Sequence, residues 1–171
     1  FKYVWAREVH FPALEGAVGH SQGLAAAMVV ALTKCERSFV LHACTFGHLL
    51  LHLGLAIAKA VPAAESYALA VLNEPHEQVA ARIQSSDTKV HLVVRNGAKA
   101  CTLTGTPDAL ARFQREFSRG GGPSQGSAAT CKVLPVRAPY HCEEMLGAAG
   151  DEAMRQMGER APVVSAAELV R

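Results

Sequence analysis

The sequence predicts a mixed α/β fold in which a four-stranded βαββαβ unit is set within a larger α/β part. Three observations predict it. A Gly-x-Ser-x-Gly turn opens an apolar, alanine-rich segment; four short apolar runs alternate with two helical patterns; and the composition supports a sizeable core. Half of the 171 residues are hydrophobic and 19% are charged, which excludes a disordered or fibrous chain and fits one domain, or one domain with an embedded subdomain.

Leu14 to Val18 leads into Gly19-His20-Ser21-Gln22-Gly23 and then into Leu24 to Val30, which reads as strand, sharp turn and helix. A second helix is expected through Ser38 to Ala58, 21 residues without Asp, Glu, Lys or Arg, ending near Pro62. Such a segment has the length of a membrane span. His42, His48 and His52 would each be costly in lipid, so a helix buried inside a protein is the expectation.

From Glu65 the units shorten. Tyr67 to Leu72 reads as a strand, and Asn73 as the cap of a helix with Pro75 in its first turn and Val79, Ala80 and Ile83 on one face. Val90 to Val94 is a second strand, with Asn96-Gly97 as the turn into a third, Ala100 to Thr104. Thr106-Pro107 starts a helix with Leu110, Phe113 and Phe117 at helical spacing. After a glycine-rich loop, Cys131 to Val136 is a fourth strand, in which Pro135 suits an edge position. This order is ferredoxin-like. It assigns 65–136 to a small inserted subdomain and 1–64 with 137–171 to the larger part. Cys142 to Arg160 reads as a further helix, and Pro162-Val163-Val164 as the start of another strand. Too few strands remain for a complete large sheet, so the larger part is expected to be truncated at both ends.

The net charge is +2 and the 17 basic residues are scattered, which leaves no footprint for nucleic acid. The five cysteines form no Cys-x-x-Cys spacing and are odd in number, so neither a disulfide framework nor a cysteine zinc site is indicated. Lys2, Arg7 and Glu8 stand where a signal peptide needs its apolar stretch. The expected compartment is the cytoplasm.

Gly19-x-Ser21-x-Gly23 has the form of a nucleophile elbow, in which the glycines give room for a strained turn that lifts the serine hydroxyl clear of the backbone. The N–H of Gln22 would then point at a developing oxyanion. A plain glycine turn is the alternative. Serine needs a general base, and of the eight histidines His141 is singled out because it follows the fourth strand, where the chain returns toward the serine. His20 adjoins the serine and reads as structural; for any one histidine, a satisfied or exposed side chain is the alternative.

Gly19-His20-Ser21-Gln22-Gly23, Asn96-Gly97-Ala98-Lys99 leading into Leu103-Thr104-Gly105, and Leu134-Pro135-Val136-Arg137-Ala138-Pro139-Tyr140-His141 together resemble the acyl-carrier-protein acyltransferases of fatty acid and polyketide synthases. Within them, the resemblance is closest to the acetyl (starter) transferase domain of type I fatty acid synthases, as in the fungal β subunit. It runs from about Glu15 to Val170. It implies an α/β-hydrolase-like acyltransferase core, with Ser21 as the acylated nucleophile and His141 as its base. It also implies acyl-CoA as substrate, no permanently bound cofactor, and a phosphopantetheine thiol on a partner acyl carrier protein as acceptor. The other domains of a synthase multienzyme are further expected partners; nucleic acid and membrane are not.

Two departures from the family bear on chemistry. Malonyl-transferring members place an arginine about 25 residues after the serine to grip the free carboxylate as a bidentate pair. Here that place falls at or near Phe46, and no arginine occurs between Arg37 and Arg82, so an uncharged acyl group such as acetyl is expected. The family's N-terminal glycine-glutamine loop, which supplies another oxyanion donor, has no match upstream of Gly19, and the carbonyl that orients the histidine would come from beyond this C-terminus. Phe46 and Tyr140 are the expected acyl-pocket residues, with core packing as the alternative.

Two other readings stay open: a serine esterase or thioesterase, for which Asp151 is the downstream carboxylate with some separation from His141, and a catalytically incomplete structural fragment of a synthase. No metal is expected. His48 and His52, four apart with His42 further back, lack a third ligand in register. Gly120 to Ser127 is read as a flexible loop, since it fits neither a P-loop nor a dinucleotide fingerprint. None of the cysteines stands in an obviously activating setting, and Cys142 beside His141 is read as incidental.

Overall fold

The computed structural model describes residues 15–64, 66–119 and 129–160. Their elements, in chain order, are α1 (Gly23–Leu32), α2 (Glu36–Ala60), β1 (Ala68–Leu72), α3 (His76–Ser85), β2 (Val90–Gly97), β3 (Ala100–Gly105), α4 (Pro107–Arg119), β4 (Thr130–Leu134) and α5 (Glu143–Arg160). The chain divides into two units, Phe1–Leu55 with Ala153–Arg171, and Ala56–Glu152. The second unit is therefore wider than the 65–136 expected for the small subdomain. It takes in the last turn of α2, where Ala56 and Ile57 are buried, and the segment from Ala138 through the first half of α5, where Ala138, Cys142 and Ala149 are buried.

In the first unit, Val29 of α1 and Phe39 of α2 are buried against each other, with Val30, Ala43 and Phe46 packed around them. The link between the helices is closed by side chains. Thr33 donates its hydroxyl hydrogen bond to the Val29 carbonyl at 2.6 Å. The Ser38 hydroxyl accepts from the N–H of Lys34 at 2.9 Å and of Cys35 at 3.0 Å, satisfying donors that a helix start leaves without intrahelical partners. Two sequence expectations need correction here. No strand precedes Ser21 among the described residues: residues 16–20 are irregular and Val18 is fully exposed, with no neighbouring chain described there to pair with; Leu14 lies outside the described residues. Nor is α2 a buried helix. It forms as expected, but only 11% of its most apolar window is buried, and Leu51 and Leu55 are 58% and 50% exposed. The reason is geometric: α2 is apolar around most of its circumference, while the residues packed on it in its own unit cover one stripe. It is the one helix among the described residues long and apolar enough to cross a membrane by length and composition.

The second unit holds a four-stranded antiparallel sheet in the order β2-β3-β1-β4. The βαββαβ order is as read from the sequence. Leu69 and Val71 of the central strand β1 lie opposite Leu103 and Cys101 of β3, and all four are fully buried. Onto this face pack Val79 of α3 and Ala109, Leu110, Phe113 and Phe117 of α4. Full burial of one large apolar side chain here contributes about 1.5–3 kcal/mol. The Phe113 and Phe117 rings lie 5.7 Å apart, tilted, and the Arg82 guanidinium sits 4.6 Å over Phe117. Thr106 starts α4 as expected, its hydroxyl accepting from the Ala109 N–H at 3.3 Å.

Three local details differ from the sequence reading. Asn73 is not the helix cap: it takes a positive φ of 63°, a conformation that asparagine tolerates better than most residues, and α3 starts one residue after Pro75, whose carbonyl accepts from Gln78 and Val79 at 3.1 Å each. The β2–β3 turn falls on Ala98-Lys99, not Asn96-Gly97; Asn96 stays in β2 and donates to the Thr102 hydroxyl at 2.8 Å. β4 ends at Leu134, so Pro135 lies just past the strand, at the sheet edge where a missing N–H is tolerated. The glycine-rich loop, Gly120 to Ser127, and the strand expected from Pro162 lie outside the described residues.

Candidate active site

Ser21 is exposed and adopts φ 54°, a left-handed backbone that costs a non-glycine residue free energy. The turn is closed by Gly23 N–H to the His20 carbonyl at 2.9 Å and Leu24 N–H to the Ser21 carbonyl at 3.0 Å, followed by Ala25 N–H to the Gln22 carbonyl at 3.2 Å. The Gln22 N–H takes no part in this set. The two glycines have different roles. A Cβ on Gly19 would lie 2.0 Å from the Gly23 carbonyl oxygen and 2.6 Å from the Leu24 nitrogen, whereas one on Gly23 would meet nothing within 4 Å. Gly19 alone is demanded by close approach, which narrows the sequence reading that both make room.

His141 also takes a positive φ, 64°, as the third residue of a turn that runs from Pro139 to Cys142 and leads into α5. It is exposed, as is Tyr140, but Ala138, Pro139 and Cys142 around them are buried. Tyr140 N–H donates to the Ala138 carbonyl at 2.8 Å and Cys142 N–H to the Pro139 carbonyl at 3.3 Å, so an exposed imidazole is carried on an anchored backbone. Among the described residues the non-glycine positions with positive φ are Ser21, Asn73 and His141. Two of the three are the residues nominated from the sequence as nucleophile and base.

An open cleft of about 440 Å³ in the second unit is lined by His141, Glu143 and Glu144 together with His91 and Leu92 of β2 and Ile83 of α3. Glu144 accepts from the Cys142 thiol at 3.4 Å and lies 3.6 Å from His91 Nδ1. Its carboxyl is held below the ordinary range, first by its own backbone N–H at the start of α5, then by the Cys142 thiol and His91. Burial pushes the Cys142 thiol up. Sequence reasoning passed over this grouping because His91 and Glu144 stand more than fifty residues apart, with no shared motif.

Phe46 and Tyr140, named for the acyl pocket, are placed differently. Phe46 is half-buried in the α1–α2 cluster with Val29 and Phe39, and Tyr140 is 40% exposed beside His141. Asp151 lies eight residues into α5, roughly 12 Å along the axis from its start at 1.5 Å per residue. His52 bonds Gln156 through Nδ1 at 3.3 Å. Cys35 departs from the expectation that no thiol is activated: it is exposed, and the Ser38 backbone N–H and hydroxyl at the start of α2 hold its pKa below the ordinary thiol value.

Residues 5–141 match the family described as starter unit:ACP transacylase in aflatoxin biosynthesis. No curated protein matches the chain. Among solved structures it is similar to an acyl carrier protein S-malonyltransferase from Vibrio cholerae, at 24% identity and TM-score 0.65, over 92% of this chain and 47% of that one. It is also similar to the acyltransferase domain of an iterative polyketide synthase in enediyne biosynthesis, at 25% identity and TM-score 0.60, over 86% and 34%. A malonyl CoA-acyl carrier protein transacylase from Clostridium perfringens matches at 21% identity and TM-score 0.56, over 81% and 50%. The chain spans half or less of the length of these three structures.

Proposed function

The chain belongs to the starter unit:ACP transacylase family, and on that premise we propose that it carries the nucleophile and the base of an acyltransferase that passes an uncharged acyl group from CoA to an acyl carrier protein. The observation that carries this reading is the shared backbone strain of Ser21 and His141; residues held in sparsely populated conformations collect at reacting centres. The larger fold would be α/β-hydrolase-like, with the βαββαβ sheet as an inserted ferredoxin-like subdomain.

In the first half-reaction His141 takes the Ser21 hydroxyl proton as the oxygen attacks the thioester carbonyl of acyl-CoA. The Gln22 N–H meets the oxyanion, a contribution of about 10²–10³ in rate for one such donor. Collapse breaks the carbon–sulfur bond, and the departing CoA thiolate takes the proton from His141. In the second half-reaction the phosphopantetheine thiol of the carrier gives its proton to His141 and attacks the acyl-serine, and the proton returns to Ser21. The chemistry needs no resident cofactor. Its donors and acceptors are soluble, which fits a cytosolic synthase and α2 as a helix of a soluble enzyme.

The preference for an uncharged starter over malonyl rests on the stretch between Arg37 and Arg82, which offers no guanidinium for a carboxylate, and on the family's description as a starter-unit transferase. Phe46 and Tyr140 stay the proposed acyl-side residues, Phe46 through the packing of α2. For the esterase reading the orienting carboxylate would be Asp151, eight residues into α5.

The test is intact mass after brief incubation with acetyl-CoA or malonyl-CoA, on wild type, Ser21→Ala and His141→Ala. An acetyl adduct that is absent in Ser21→Ala, slowed in His141→Ala and faster than any malonyl adduct supports the reading. Rapid acetate release without carrier protein would favour the esterase. No adduct in a folded sample overturns the catalytic assignment in favour of a structural piece of a synthase.

A further inference from the structure

We propose that His91, Cys142 and Glu144 form a binding site for a borderline-soft divalent cation of the Zn²⁺ class, tying strand β2 to the start of α5. One ligand atom from each of the three lies within 4.8 Å of the others. The donor set is what such an ion takes: imidazole nitrogen, thiolate sulfur and carboxylate oxygen, at about 2.0–2.3 Å from the metal. A tetrahedral ion with bonds of that length leaves its ligand atoms roughly 3.3–3.8 Å apart. Cys142 Sγ lies 3.4 Å from Glu144 Oε2 and His91 Nδ1 lies 3.6 Å from Glu144 Oε1, so each pair has that spacing through a different carboxylate oxygen, and a rotation of the exposed Glu144 carboxylate brings one oxygen to both.

The surroundings favour a bound ion as well. Cys142 is 2% exposed, so its sulfur is held in place by packing, while His91 and Glu144 are partly and largely exposed and can close the remaining ligand pair by small rotations. Binding displaces the thiol proton to solvent and leaves a neutral His91 as donor. Three protein donors leave one position open to the cleft that His91, Glu144 and His141 line. The site stands on these distances and is independent of the acyl-transfer reading.

The experiment is a titration of the full chain with Co²⁺, following the thiolate-to-cobalt charge-transfer absorption, with Zn²⁺ as competitor. Wild type is expected to bind one equivalent, with an absorption that Zn²⁺ abolishes. Cys142→Ser should lose the charge-transfer band, and His91→Gln and Glu144→Gln should each weaken binding by at least about tenfold. The last two alter exposed or partly exposed side chains, so they decide the matter even if Cys142→Ser does not fold, which circular dichroism reports. Absence of saturable binding, or equal binding by wild type and both of those variants, overturns the proposal, the second outcome placing the ion elsewhere.

Discussion

Replacing Gly19 by alanine tests whether the Ser21 turn is a mechanical device or an ordinary bend. The added Cβ would stand 2.0 Å from the Gly23 carbonyl oxygen and 2.2 Å from its carbon, where ordinary contact begins at 3.4 Å. Because the obstructing atoms are backbone, the turn must open by about 1.4 Å, the difference between those distances. Overpacking of this kind typically costs about 1–3 kcal/mol of stability. A displacement of about 1 Å at a reacting atom can cost on the order of 10²-fold in rate. We therefore expect Gly19→Ala to fold, with a lowered melting temperature, and to form the acyl-serine at least about a hundredfold more slowly than wild type. The matched control is Gly23→Ala, whose Cβ meets nothing within 4 Å. It removes a glycine from the first turn of α1 and should be neutral or stabilising by up to about 1 kcal/mol, with labelling close to wild type. The assay is intact mass against time with acetyl-CoA, alongside thermal unfolding of all three proteins. Wild-type labelling by Gly19→Ala, or equal losses in both variants, would refute the argument that close approach at Gly19 shapes the turn.

Other predictions concern the thiols and the core. Cys35, exposed and lowered by the Ser38 N–H and hydroxyl, should be the first cysteine alkylated, with a pH midpoint below that of a free thiol. Cys131, pushed up to about 11 by burial, should react slowly at pH 8 and gain reactivity only as the pH approaches that value; mass mapping after timed iodoacetamide treatment reads both. Phe113→Ala, which empties a fully buried position between α4 and the sheet, should cost about 3–5 kcal/mol, measured by denaturant unfolding; a loss below about 1 kcal/mol would remove it from the core.

How much could be read in advance depended on how local the cause was. The βαββαβ order followed from short apolar runs, and the buried face of α4 followed from period, because Leu110, Phe113 and Phe117 answer to their own helix. The Ser21 turn was visible because its cause lies within five residues. Where neighbours distant in sequence decide, the reading failed. A strand needs a partner, so Leu14 to Val18 looked like one and Val18 stands exposed. Apolar composition promises burial only if something covers it, and α2 keeps Leu51 and Leu55 in the open. Asn96-Gly97 has the chemistry of a tight turn, yet pairing with β3 carries the strand on to Gly97 and moves the turn to Ala98-Lys99. The approach of Glu144 to His91 is of the same sort: nothing along the chain joins them.

The two outer strands of the sheet bear on how such a chain behaves when many copies are crowded together. An unpaired strand edge invites another chain to hydrogen-bond onto it, the first step toward a growing intermolecular sheet. β2 breaks its register twice, between Leu92 and Val94 and again between Arg95 and Gly97. β4 is five residues long, carries Lys132 at its middle and is followed at once by Pro135, which has no N–H to offer. Among the described residues an incoming strand thus finds no long, even row of donors and acceptors on either outer strand, the arrangement that discourages edge-to-edge pairing.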